Sequence, residues 1–157
     1  LESFATARGG VHTFANRGLA GIDGNISTAT GIASSGSPTI AILGDLSFLH
    51  DMSGLVHTEK PDLKIFVINN NGGGIFSTLE HRGQDGFEEL FGTPHGQDPA
   101  AIAKAMGYES KTITNIGDLR SELSSPIKGI TVAVLNVPDR SSNADLIKKV
   151  VADLPSI

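Results

Sequence analysis

Two apolar runs, each ending in a cluster of glycine and small polar residues, constrain this chain more than anything else in it. Thr39-Ile40-Ala41-Ile42-Leu43 leads into Gly44-Asp45-Leu46-Ser47, and Lys64-Ile65-Phe66-Val67-Ile68 leads into Asn69-Asn70-Asn71-Gly72-Gly73-Gly74. Short apolar runs bounded by turn formers read as buried strands of a parallel sheet. Between them Phe48, Leu49, Met52, Leu55 and Val56 recur at helical spacing, and Pro61-Asp62 stops that helix. Strand, helix and strand within about 30 residues make a βαβ unit with a right-handed crossover. Both polar clusters then emerge at the carboxyl edge of one sheet, where open α/β folds bind ligands.

The remaining segments extend the same alternation. Val11 to Ala15 is a short β-like run, Asn25 to Ser34 a helix of small residues, and Ser35 to Pro38 a turn. Asp98 is placed to cap a helix that has Pro99 at its first position and Gly107 just past its end. Lys111 to Thr114 reads as a strand, Asp118 to Leu123 as a helix, Ile130 to Val137 as a strand and Ala144 to Leu154 as an amphipathic helix. Residues 77–97 show no sustained period beyond a turn of helix at Phe87 to Phe91, which suits a lid or a solvated loop. The pattern predicts an α/β fold, a doubly wound, mainly parallel sheet with helices on both faces.

Composition excludes several classes of function. With 157 residues the chain suits one domain with a real core. A net charge of −5 without a Lys/Arg cluster argues against nucleic acid, and an anionic ligand must be drawn by local amides or a metal. No stretch approaches the ~20 apolar residues of a membrane span. The absence of cysteine removes disulfides, zinc thiolates and a cysteine nucleophile, and fits a reducing, cytoplasmic setting. The opening Leu1-Glu2-Ser3-Phe4 carries no initiator methionine and reads as interior sequence. The expectation is therefore a single domain over residues 1–157, cut from something longer.

Taken alone, Asp45 is explained by helix capping and Asn70 by a turn. Together they stand one βαβ unit apart and face one crevice, offering a charged and a neutral oxygen to a magnesium ion shared with a phosphate. The amides of Gly44 to Ser47 open a helix and can receive phosphate oxygens, and Gly72 to Gly74 let backbone approach a ligand. Other phosphate-binding patterns fail: there is no G-x-x-x-x-G-K-[ST] segment, and Gly18, Gly21 and Gly24 are spaced G-x-x-G-x-x-G.

Gly44-Asp45 followed one βαβ unit later by Asn69-Asn70 resembles the fingerprint of thiamine-diphosphate enzymes. Leu46 stands where the wider family has glycine. Asn16-Arg17-Gly18, Gly21-Ile22-Asp23-Gly24, Ser27-Thr28, Gly44 to Ser47 with His50-Asp51, and Asn69 to Phe76 resemble one branch of that family. Those are the menaquinone-pathway synthases that join a 2-oxoglutarate-derived succinyl unit to isochorismate. Phe91-Gly92-Thr93-Pro94-His95 is similar to actinobacterial members.

The resemblance implies that Asp45, Asn70 and the Gly72 carbonyl hold magnesium (or manganese) against the diphosphate, with Ile22, Gly44, Leu46 and Ser47 also lining the cofactor. It implies that Arg17, Ile75 and Phe76 meet the substrates, with ordinary packing the competing explanation for the last two. No catalytic residue is expected in this chain, because the family's activating glutamate lies on a separate pyrimidine-binding domain of the same or a neighbouring subunit. The full-length enzyme would be a homo-oligomer. A related decarboxylase or ligase, or a non-catalytic diphosphate-binding module, are the alternatives. His50 beside Asp51 suggests a dyad, though packing or a supporting hydrogen bond explains it as well. His81, Arg82, Gln84 and His95 fall in the 77–97 segment without an assigned role.

Overall fold

The computed structural model describes residues 9–16, 18 and 20–153. Helix α1 (Asn25–Ser34) precedes β1 (Thr39–Gly44), α2 (Asp45–His50), a 3-10 turn at Met52–Leu55 and β2 (Leu63–Asn69). After a second 3-10 turn (Gly74–Thr78) and a π turn (Glu88–Gly92) come α3 (Pro99–Ala105), β3 (Glu109–Ile113), α4 (Ile116–Ser124), β4 (Ile130–Asn136) and α5 (Arg140–Ala152). The four strands form one sheet in the order β1-β2-β4-β3, and every neighbouring pair is parallel. All four carboxyl ends therefore lie along one edge.

Side-chain alternation divides the sheet into two faces. Leu63, Ile65 and Val67 of β2 and Ile130, Val132 and Val134 of β4 join Ile26, Ala29 and Ala33 of α1, Phe48 of α2, Leu55, and Ala100 and Ala103 of α3 in the main core. Phe66, Ile113 and Ala133 on the other face pack with Leu119 of α4. Helices thus cover both faces, as expected, but unequally. Ile40 and Ile42 of β1, on the second face, are 43% and 55% exposed.

Local chemistry accounts for most element ends. Asp98 caps α3 by accepting from the amides of Ala100 and Ala101, with Pro99 at the first helical position. Asn115 and Asp118 cap α4 reciprocally: Asn115 accepts from the Asp118 amide at 2.9 Å, and its own amide group donates to Asp118 Oδ2 at 2.8 Å. Helix α5 starts earlier than its apolar period suggests, because Asp139 accepts from the Ser142 amide at 2.9 Å.

Two expectations are corrected. Residues 11–15 form no strand; Val11 and Phe14 are 60% and 66% exposed, and no described strand pairs with them. The crossover helix does not run through to Val56. It stops after His50, where Asp51 turns its carboxylate to α1 and accepts from the Ser27 amide at 2.8 Å and the Ser27 hydroxyl at 3.1 Å. Gly24, the residue before α1, has no side chain to cap that helix, so Asp51 does so from a distance. A Cβ on Gly54 would sit 2.6 Å from Ser27 Oγ, which fixes glycine at this approach.

Candidate diphosphate site

Asp45 opens α2 directly after β1 and is 2% exposed. Gly44 is the residue before the helix, so the Asp45 carboxylate does not cap in the usual way. Its Oδ1 accepts from the Leu46 amide at 2.8 Å. Its Oδ2 accepts from the Gly72 amide at 2.8 Å and lies 3.1 Å from His95 Nε2. Among the described residues no Lys or Arg pairs with it. A buried carboxylate is costly without a cation or a full set of donors. Here amides and an imidazole supply the donors, and among the described residues no Lys or Arg joins them.

The three asparagines after β2 have separate tasks. Asn69 donates to Asn136 Oδ1 at 2.9 Å, tying β2 to β4, and accepts from the Asn71 amide at 3.1 Å. Asn71 has a left-handed backbone (φ 60°), and its Oδ1 accepts from the amides of His95 at 3.2 Å and Gly96 at 2.8 Å. The Arg140 guanidinium donates to its carbonyl. Among the described residues the Asn70 amide makes no hydrogen bond; it lies over Gly74, where a Cβ would strike its Nδ2. Gly72 (φ 134°) permits the turn, and a Cβ there would drive into the Gly92 carbonyl. Gly73 then makes a tight three-residue turn in which Gly74 N–H donates to the Gly72 carbonyl at 2.9 Å.

The segment after the π turn closes over Asp45. Gly92 O accepts from the Gly73 amide at 2.7 Å, Thr93 has φ 40°, and His95 reaches the carboxylate. A β-branched residue at such a φ is strained and persists only where its surroundings hold it. Phe91 stacks on Phe87 at 5.4 Å between ring centres and meets Phe76 at 5.9 Å, which anchors this strap from below. Arg82 pairs with Asp145 of α5 at 2.5 Å, and burial lowers while that bond raises its already high pKa, with the bond prevailing. Arg140 pairs with Glu88 at 2.5 Å. A cavity of about 700 Å³ lies beside the strap, lined by Asn69, Asn70, Asn136, Asp139 and Arg140. Its lining comes from the segments that follow β2 and β4 and from the start of α5, and does not include Asp45.

The expected residues therefore fall into groups. Asp45, Leu46 and Gly72 are brought together, with the Gly72 amide rather than its carbonyl meeting Asp45. Asn70 lies on the adjoining loop and Ser47 on the first turn of α2. Ile22 (37% exposed), Ile75 (75%) and Phe76 (39%) stand open at the same end of the chain's elements, so core packing does not explain Ile75. Arg17 lies outside the described residues. His50 is exposed and Asp51 is committed to Ser27, so they form no dyad. His95 and Arg140 were not anticipated. The only signal for Arg140 was its position just after β4, at the shared carboxyl edge.

The family described as "Thiamine pyrophosphate enzyme, C-terminal TPP binding domain" matches residues 3–137. The chain belongs to this family. Among curated proteins it is 49% identical over 139 residues to the 2-succinyl-5-enolpyruvyl-6-hydroxy-3-cyclohexene-1-carboxylate synthase of Paenarthrobacter aurescens, covering 82% of this chain and 24% of that protein. It is 42% identical over 161 residues to the protein of the same name from Synechocystis, covering 97% of this chain and 26% of that one. Among solved structures, the benzoylformate decarboxylase of Polynucleobacter necessarius aligns with a TM-score of 0.53 at 25% identity, over 73% of this chain and 22% of that one. The chain thus spans about a quarter of the length of the curated relatives it matches. In this C-terminal TPP-binding domain, no helix among the described residues is long and apolar enough to cross a membrane.

The donor set suits a diphosphate-bound divalent cation. Among the described residues it has one buried carboxylate without a Lys or Arg partner and one side-chain amide oxygen without a hydrogen-bond partner. Magnesium takes few protein oxygens and completes its shell with water and phosphate.

Proposed function

We propose that this chain is the diphosphate-binding part of a thiamine-diphosphate-dependent synthase that decarboxylates 2-oxoglutarate and adds the succinyl unit to isochorismate. The observation that carries the reading is Asp45: buried, held by three N–H donors, and lacking a protein cation among the described residues. The branch assignment rests on 49% identity to a protein of that name, against 25% to the benzoylformate decarboxylase.

In this reading Asp45, Asn70 and Gly72 hold magnesium or manganese, and the backbone of Gly44 to Ser47 faces the diphosphate. Bound thiamine diphosphate would supply the electron sink that decarboxylation requires. The chain's own residues bind and orient. Asp45 would anchor the cation that offsets the diphosphate's charge. The Leu46 amide, now donating to Asp45, holds that carboxylate in place. Ile22, Ile75 and Phe76 present apolar surface at the open end of the site, which excludes water from a reacting carbon. Arg17 offers a guanidinium fork to a substrate carboxylate. The proton transfers that activate the cofactor belong to a glutamate on a pyrimidine-binding domain of the same or a neighbouring subunit, in a homo-oligomeric cytoplasmic enzyme.

Titration calorimetry with thiamine diphosphate, with and without magnesium, tests this reading alongside Asp45→Ala and Asn70→Ala. Magnesium-dependent heat that either substitution removes is the expected result. Metal-independent binding indifferent to both would overturn the site.

A further inference from the structure

We infer that His95 sets the way Asp45 ligates a divalent cation, leaving it one oxygen to offer and so favouring magnesium over calcium. This rests on the reading that Asp45 is a metal ligand.

A carboxylate has about four lone-pair sites. Three are filled here: one on Oδ1 by the Leu46 amide, and both on Oδ2 by the Gly72 amide and His95 Nε2. The histidine tautomer follows from its other nitrogen. Nδ1 lies 3.0 Å from the Gln97 amide and accepts from it, so the ring proton sits on Nε2 and is donated to Asp45. The free position that remains is on Oδ1.

The ring is held from several sides. Its backbone amide and that of Gly96 donate to Asn71 Oδ1, and Gln97 Nε2 donates to the His95 carbonyl at 3.1 Å. The side chain is 11% exposed. The strained Thr93, two residues earlier, is a second and separate sign that this strap is held in one path.

Ligation through one oxygen suits magnesium, which demands near-ideal octahedral geometry from a few single-oxygen ligands. Calcium commonly takes both oxygens of a carboxylate, in a larger and more flexible shell. With His95 donating, the second oxygen is closed to a cation. Removing that donor frees a lone pair on Oδ2 and opens the two-oxygen mode. His95 is therefore a positioning residue that acts through Asp45.

The test uses the full chain with inorganic diphosphate, reading free Mn²⁺ by electron paramagnetic resonance and displacing bound Mn²⁺ with Mg²⁺ or Ca²⁺. His95→Ala is expected to weaken Mg²⁺ by about 10- to 100-fold, the usual effect of losing an outer-shell partner. Ca²⁺ should weaken less or tighten, so that the Mg²⁺:Ca²⁺ preference falls. His95→Gln, whose Nε2 amide can also donate, should keep most of that preference. An unchanged ratio in His95→Ala, or tighter Mg²⁺ binding, would overturn the proposal.

Asp45→Asn separates the two levels. If it leaves Mn²⁺ binding intact, the metal site itself is wrong. If it abolishes binding while His95→Ala leaves the ratio alone, only the role of His95 fails. Imidazole ¹⁵N shifts of the unsubstituted chain give a check that no folding defect can blur. Nε2 should stay protonated before and after Mg²⁺ is added, and the opposite tautomer in either state would refute the assignment.

Discussion

Two buried carboxylates in this molecule are treated in opposite ways. Asp45, at the carboxyl edge of the sheet, is 2% exposed and surrounded by N–H donors. Glu122, near the end of α4, is 6% exposed and paired with two lysines: Lys64 at 3.1 Å and Lys111 at 2.5 Å. Lys64 is itself 2% exposed, and its ammonium also donates to the Glu122 and Ser125 carbonyls and to Ser125 Oγ. At Glu122 the chain neutralises its own charge, which gives a structural ion pair on the α4 side of the sheet. At Asp45 it fixes the geometry, and among the described residues no Lys or Arg compensates the charge. That difference sets the ion pair of Glu122 apart from the carboxylate we propose as a cation ligand.

The largest effect is expected from Asp45→Asn. Magnesium-dependent binding of thiamine diphosphate should fall by more than the ~10- to 100-fold typical of an outer-shell loss. The metal-free chain should lose some stability as well, with a lower thermal midpoint, because asparagine has one acceptor oxygen where Asp45 uses two, and its Nδ2 must face either the Leu46 amide or the Gly72 amide and His95 Nε2. If the midpoint collapses while binding survives, Asp45 is the structural carboxylate and the contrast inverts.

Lys64→Ala comes next and should act on stability alone. It strands Glu122 in a buried position with one half-exposed partner, a situation that costs about 3–5 kcal/mol. The pair Lys64→Met with Glu122→Leu should recover most of that loss, since apolar replacement of a buried pair is often close to neutral. Urea denaturation would measure both, and diphosphate affinity should be unaffected in either. A double variant as unstable as the single one would mean the polar contacts of Lys64 to Ser125 matter more than the ion pair.

What the sequence made legible follows the range of the contacts involved. The α1 limits, Asp98 and Pro99 at the head of α3, and the buried run of β2 all depend on residues within a few positions, and local patterns announced them. So did the meeting of Asp45 with the glycine loop, because βαβ geometry brings successive strand ends to one edge. His95 approaches Asp45 from 50 positions away, and Asp51 reaches Ser27 across 24. No period or motif encodes such pairs. The early end of the crossover helix was hidden for the same reason: its cause is the need of α1 for a distant cap. Asn70 was expected at the site from its motif, but its lack of a hydrogen-bond partner among the described residues became visible only once Asn69 and Asn71 were seen to be engaged.

Gly72→Ala should have an intermediate effect on both sides of the comparison. An alanine there is strained at φ 134°, and its Cβ meets the Gly92 carbonyl and, at 2.9 Å, the Arg140 guanidinium. Strain of this kind costs about 1–3 kcal/mol. The Gly72 amide would move away from Asp45 Oδ2, so metal affinity should drop together with stability. Loss of stability without any loss of affinity would detach the glycine loop from the metal site.

Lys111→Ala should be the mildest change and the most sensitive to pH. Lys111 is half exposed, so its pair with Glu122 should contribute about 0.2–1 kcal/mol, less in high salt. Its titration effect is better defined. Burial pushes the Glu122 carboxyl up, but the hydrogen bonds and charges of Lys111 and Lys64 outweigh it and hold the group below its ordinary value of about 4.5. A carboxylate depressed in the folded state contributes stability that is present above its unfolded pKa and is lost as pH falls through the folded one. Removing Lys111 relaxes part of that depression, so the loss of stability should be largest near neutrality and shrink as pH falls through the folded value, leaving a shallower acid limb. Fluorescence of Tyr108, a buried residue of the main core, can follow the transition. An acid limb identical to that of the unsubstituted chain would mean that Lys64 alone neutralises Glu122, making the structural carboxylate a simple pair and sharpening its contrast with Asp45.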